Sequence, residues 1–309
     1  MKKNRWNKGE ITTQQIVLLI ILLVSFAVIL FLLFKLDFFG QSDSEICHNS
    51  VTMRASPVSK DAVPLKCSRQ YICLSKDGSC EGMTEPKIIK VETKEEVYDT
   101  LAEKMADCWW MFGEGKIDYV GKDFFTKDNY CSICYQIGFD ESLKEIKGIG
   151  EEISKDDLFE YLSKKQMPDK EITYTEYFFG TNDIQRLKSE ISQDKGVQAT
   201  FGTINLDKQH FILVGITSEV SGRVWKIVAA VGLTAVGWWA PTTWATWAGV
   251  IGGVVIFGAG EYGAGQDVEI GAVTVQGDGV KNTFMAPTIQ EANSQSLKKL
   301  NCYEILTST

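Results

Sequence analysis

The sequence predicts an α+β protein: a single N-terminal transmembrane helix, then a disulfide-braced extracytoplasmic domain that carries a glycine- and tryptophan-rich apolar helical hairpin. Three observations predict it. Residues 11–34 carry no charge, all eight cysteines lie beyond that run, and residues 227–260 form a second uncharged stretch. The remainder is ordinary for a folded chain, with 44% hydrophobic and 23% charged residues, which argues against general disorder.

The first apolar stretch sets the compartment. Its densest part, residues 16–34, would rise about 28 Å as a helix, close to the hydrocarbon thickness of a bilayer. A cleaved secretory signal needs a shorter apolar core and a small-x-small site after it, and Phe-Leu-Leu-Phe-Lys-Leu-Asp-Phe-Phe (31–39) supplies neither. Lys2, Lys3, Arg5 and Lys8 outweigh Glu10 before the helix, so the N-terminus is expected in the cytoplasm and the body outside. The first ten residues carry +3 and the rest of the chain −11, summing to the formal charge of −8. An acidic body lacks the basic footprint that nucleic-acid binding needs, so no nucleic-acid partner is expected.

Lys8-Gly9-Glu10-Ile11-Thr12, followed directly by the apolar run, resembles an archaeal class III signal, the kind carried by type IV pilins and related surface proteins. The resemblance covers about the first 34 residues. It implies a cut on the cytoplasmic side between Gly9 and Glu10, leaving the helix on the mature chain as an anchor or a pilin-like subunit. The chain departs from a pilin at Gly40-Gln41-Ser42-Asp43-Ser44, which reads as a break where a pilin helix continues as a long spine. Beyond Phe34 it resembles only uncharacterised archaeal membrane proteins, which implies no activity.

Cys47, Cys67, Cys73, Cys80, Cys108, Cys131, Cys134 and Cys302 all follow the anchor. An even count in an extracytoplasmic setting reads as a disulfide framework whose connectivity the sequence leaves open. Cys67, Cys73 and Cys80 fall in a loop-rich stretch with Pro57 and Pro64. Cys131-Ser-Ile-Cys134 is a CxxC, a spacing used by thiol oxidoreductases and zinc half-sites. Here Cys131, Ile133, Tyr135, Ile137 and Phe139 alternate as one face of a strand, which turns Cys134 away from Cys131. No helix opens at the motif, and the chain has only two histidines, His48 and His210, so no metal and no cofactor are expected.

In the body, Thr93-Lys-Glu-Glu96 is a capping box, followed by Val97, Leu101, Met105, Cys108 and Phe112 at helical spacing up to Gly113 and Gly115. The aromatics at 109–112 read as packing at a helix end. Ser154 opens a second helix, stopped by Pro168, and Asn182 caps a third. Residues 172–179, 198–206 and 210–217 read as strands, the last two as a hairpin across Asp207-Lys208-Gln209. Residues 268–276 form a further strand. No P-loop, GxSxG or HExxH motif occurs. Gly258-Ala-Gly260-Glu-Tyr-Gly263 matches GxGxxG, but the chain after it is too polar and glycine-rich to pack as a crossover helix, so no nucleotide is expected.

Residues 227–260 leave three readings open. A hairpin or in-plane membrane element is favoured by Ala245, Gly249 and Gly253, which repeat at helix-packing spacing, and by Trp225, Trp238, Trp239, Trp244 and Trp247, placed as interface anchors. A buried core is the second reading. A single return span is the third, and it would place Glu261, Asp267 and Glu269 inside with no basic residue before Lys281.

The expected organisation is a basic cytoplasmic flank (1–10), an anchor (11–35), a cysteine-rich loop region (36–90), an α+β ectodomain (91–226), the apolar hairpin (227–260), and a strand region returning to the ectodomain (261–309). The expected function is a non-catalytic binding or assembly role in the cell envelope. Its partners are the lipid bilayer and a surface protein or a second copy of the chain. The alternatives are a pore-forming or membrane-perturbing protein using residues 227–260, an extracytoplasmic thiol oxidoreductase acting through the CxxC, and a pilin-like subunit.

Overall fold

The computed structural model describes residues 13–35, 42–56, 63–120, 129–195, 198–217, 251–257, 268–278 and 280–308. They fall into two units, Met1–Ser42 and Asp43–Thr309. The first holds α1 (Thr13–Lys35), a run without glycine or proline to break it. Its described side chains, residues 16–29, are all exposed, from 47% at Ile16 to 64% at Leu18. Among the described residues no helix is long and apolar enough to cross a membrane.

The second unit is a mixed sheet with a helical layer on one face and a thin cover on the other. In chain order it comprises α2 (Asp43–Arg54), β1 (Gln70–Ser75), β2 (Lys87–Lys90), α3 (Lys94–Met111), β3 (Asn129–Phe139), a 3-10 turn (Glu141–Glu145), β4 (Glu152–Ser154), α4 (Lys155–Lys164), α5 (Tyr174–Phe179) and α6 (Ile184–Lys195). There follow β5 (Ala199–Thr200), β6 (Thr203–Asn205), β7 (His210–Thr217), β8 (Ile251–Phe257), β9 (Val268–Gln276), β10 (Thr283–Glu291), α7 (Ser294–Lys299) and β11 (Glu304–Ile305). The sheet order is β2-β1-β3-β7-β10-β9-β5, with β11 beside β3 and β8 beside β9. The 36–90 stretch, expected to be a loop region, thus contributes a helix and two strands to this body.

β7 is buried at all eight positions because both faces of the sheet are covered there. Ile212, Val214 and Ile216 join the core under α3, while Phe211 and Leu213 join Met285 and Leu300 on the other side. β3 does not keep the single-face alternation its sequence suggests. The register shifts between Ile133 and Tyr135, so Cys131 and Ile133 face the thin cover while Tyr135 and Ile137 face the helices. The extra residue of that bulge is Cys134.

The caps explain the helices. Thr93 accepts from Glu96 N at 3.2 Å and starts α3, although the Glu96 carboxylate bonds to Glu92 N at 2.6 Å, one residue short of closing the capping box. Gly113 and Gly115, at φ +80° and +74°, turn the chain out of α3. Ser154 caps α4. For α6 the capping side chain is Asp183, not Asn182: Asp183 Oδ1 accepts from Arg186 N at 3.2 Å.

Three strand expectations change. Residues 174–179 are helical, because Thr173 and Glu176 form a complete capping box and Gly180 closes the turn at φ +69°. Residues 198–206 split into β5 and β6 around Gly202, at φ +82°. β6 does not form a hairpin with β7; it pairs with β4 in a separate two-stranded sheet. The sequence also hides β10, which carries Pro287 inside a strand. The register shift between Met285 and Thr288 accommodates it.

The C-terminus is woven into the centre of the body. Leu306 N bonds to Cys131 O, Ser308 N to Cys67 O, and Arg69 N to Ser308 O, each at 2.9 Å. Replacing Cys108 and Cys134 together by alanine is expected to lower the stability of the chain by about 2–4 kcal/mol. Guanidinium unfolding of the oxidised proteins checks it; an unchanged midpoint would mean the bridge carries no stability.

Candidate functional site

All eight cysteines are paired: Cys47–Cys67, Cys73–Cys80, Cys108–Cys134 and Cys131–Cys302. The CxxC thiols therefore belong to separate bridges on opposite faces of β3. Exchange chemistry at this motif needs the two sulfurs to join each other, so the thiol oxidoreductase alternative is set aside. His48 donates from Nδ1 to Trp110 O at 2.7 Å and stacks on the Trp110 ring at 4.1 Å. Trp109 is buried edge-on to Phe284. The aromatic cluster is packing.

Gly9, Glu10, Trp225, Trp238, Trp239, Trp244, Trp247, Ala245 and Gly249 lie outside the described residues. Gly253 lies within them, in strand β8, so the small-residue face read as helical is strand at that position. β8 and β9 flank Gly258–Gly263 and pair antiparallel, without the parallel crossover that a dinucleotide fold requires. One row across the sheet runs Ile216, Phe284, Val275, Ile251. The C-terminal end of β7 and the N-terminal end of β8 therefore lie at the same end of one sheet. A single return span is overturned, since β9 and β10 pair with the sheet that holds β3, and Cys302 is bonded to Cys131.

Two places carry chemistry. The first is a groove of about 470 Å³ lined by Tyr71, Gln136, Gln209 and the loop Glu81–Thr84. Ile72 and Leu74 of β1 point into the helical core, which turns Tyr71 to the opposite face with 38% of its surface exposed. The Cys73–Cys80 bridge ties down the loop wall. Met83 packs so closely on Gly138 that a Cβ there would sit 2.5 Å from its sulfur. Across the floor, Arg69 Nη1 donates to Gln136 Oε1 at 3.1 Å, Gln136 Nε2 donates to Gln209 Oε1, and Gln209 Nε2 donates to Gly82 O at 2.9 Å. Sequence reasoning missed these residues because only the sheet order brings positions 71, 136 and 209 together.

The second is Lys155, the first residue of α4, 6% exposed and 3.5 Å from Glu269. Burial pushes its pKa down, and the Glu269 carboxylate opposes that shift. A cation at a helix N-terminus also meets the positive end of the dipole. The adjoining void, bordered by Met105, Phe159, Phe201 and Ile270, holds only about 10 Å³, room for one water and no substrate. The pair is structural. His210, 3% exposed, sits edge-on to Phe139, and burial, then the Lys155 charge, push its pKa down to about 4.

No family model matches the chain, and neither curated proteins nor solved structures yield a match. The fold and its groove stand on their own geometry.

Two stability measurements check these assignments. Lys155→Met is expected to leave stability unchanged or raise it by up to about 2 kcal/mol, and Glu269→Gln to lower it by about 1–3 kcal/mol. A large loss in Lys155→Met would contradict the pairing account. His210 is neutral when folded, so the stability it carries is complete above pH 6.5. As pH falls, the unfolded chain takes up the proton first. About 3 kcal/mol is therefore lost between pH 6.5 and pH 4. His210→Gln should flatten that part of the pH profile.

Proposed function

We propose that the chain is a membrane-anchored cell-surface protein of an archaeal envelope, with its disulfide-braced body outside and a non-catalytic binding or assembly role. The observation that carries this reading is the cysteine pairing. Four bridges spanning Cys47 to Cys302 use every cysteine, and such frameworks persist in oxidising compartments. The apolar helix ahead of them supports anchoring. Its described side chains, nearly all aliphatic or aromatic, are exposed all round, a surface that suits lipid far better than water. The basic flank supports a cytoplasmic N-terminus. The likeness of Lys8-Gly9-Glu10 to a class III signal supports a mature chain beginning at Glu10. Its partners on this reading are the bilayer and a surface protein or a second copy.

A second reading, a pore-forming or membrane-perturbing protein using residues 227–260, is favoured by one observation: β7 ends and β8 begins at one end of the sheet. β8 takes residues 251–257 out of the uncharged run, and residues 227–250 before it carry no charge. It predicts dye leakage from liposomes given the full chain; intact liposomes would remove it.

The anchored reading is checked by adding protease to right-side-out vesicles of cells that express the chain. The body is expected to be digested, and the membrane-retained fragment to begin at Glu10. A fully protected body would contradict the outside placement, and a fragment beginning at Met1 would exclude the class III cut.

A further inference from the structure

We propose that the groove beside Tyr71 binds a neutral, hydroxyl-rich ligand, a saccharide chain end. This deepens the binding role proposed above by naming the chemistry of its ligand.

The groove combines a flat aromatic face with fixed amides. The Tyr71 ring stands partly exposed at one wall, where it can cover the C–H face of a sugar ring. Gln136 and Gln209 are locked head to tail between Arg69 and the Gly82 carbonyl. That chain consumes one N–H of each amide and leaves a second N–H on each, with a further lone pair on each carbonyl oxygen. The groove therefore offers donors and acceptors side by side in set directions, which is what a hydroxyl, itself donor and acceptor, pairs with. Thr84 adds a hydroxyl of its own.

Charge points the same way. Among the described residues Glu81 is the only ionisable carboxylate of the lining, and no cationic side chain lines the groove: Arg69 lies behind Gln136, to which it gives one Nη1–H, with its guanidinium over the Phe211 ring at 5.0 Å. With a chain of net charge −8, an anionic ligand is disfavoured, and no cluster of acids stands ready for a cationic one. A groove of about 470 Å³ falls within the range of small-molecule sites. Its walls are pre-formed, because the Cys73–Cys80 bridge and the Met83–Gly138 contact hold the loop in place, so little ordering cost opposes binding.

The test is saturation-transfer difference NMR on the full chain in nanodiscs. The probes are cellotriose, mannotriose, N-acetylchitotriose and, as the charged counterpart, hexaglutamate. Transfer to ring C–H protons of at least one trisaccharide is expected, falling at least fivefold in Tyr71→Ala and in Gln209→Ala and largely kept in Tyr71→Phe. Near-UV circular dichroism and a count of eight blocked cysteines confirm the fold of each variant. Should Gln209→Ala loosen the loop, the Tyr71 pair still decides. No transfer to any trisaccharide, transfer unaffected by Tyr71→Ala, or transfer to hexaglutamate alone would overturn the proposal. Orientation in the membrane plays no part in this readout, so its failure leaves the anchored placement standing, and the failure of that placement leaves it intact.

Discussion

The structure depends on one strand being bridged from both sides. β3 runs through the sheet with Cys131 bonded to Cys302 on one face and Cys134 bonded to Cys108 of α3 on the other. Three residues apart on a strand, the two cysteines face opposite ways by alternation alone; the bulge at Cys134 then shifts the facing by one residue, so Cys134 and Tyr135 both address α3. The first bridge closes a separation of 171 residues, and in the chain-entropy account longer closures constrain the unfolded state more. It also fixes where the C-terminal segment can lie. With Cys302 held at β3, β11 is delivered to Tyr130 and Cys131, and the tail reaches Cys67, itself bridged to Cys47.

This connectivity makes the body a single oxidised object. A chain whose last strand is bonded beside the middle of its sheet cannot have those parts on opposite sides of a bilayer. The strands on either side of residues 218–250, β7 and β8, belong to that same sheet. The same bonds explain why the CxxC is scaffold: redox work needs adjacent sulfurs free to trade one bond, and here each sulfur holds a different layer. The groove beside Tyr71 draws on the same logic at the sheet's other flank, where a short bridge stiffens a loop that carries no core residue.

Much of this was legible in residues with local causes. Thr93 and Ser154 announced their helices because a cap is a short-range bond, and β7 and β9 announced themselves because buried strands read as apolar runs. Failures arose where long-range pairing overrides local pattern. Pro287 concealed β10 because a proline is expected to break a strand, whereas a register shift absorbs it. Tyr174 to Phe179 looked extended from its aromatics, but caps at both ends make it a helix. Gly253 looked like a helix contact until β9 supplied a partner strand. Nothing local marks Lys155; only the fold shows that Glu269 arrives beside it. The groove left no signal at all, since its amides gain meaning only from their neighbours.

The most direct test is non-reducing peptide mapping of the membrane-extracted chain. The account predicts one assembly joining the Cys108, Cys131–Cys134 and Cys302 peptides, with fragmentation between Ser132 and Ile133 assigning Cys302 to Cys131 and Cys108 to Cys134. A loop closed between Cys131 and Cys134, with Cys108 and Cys302 free or joined to each other, would contradict it.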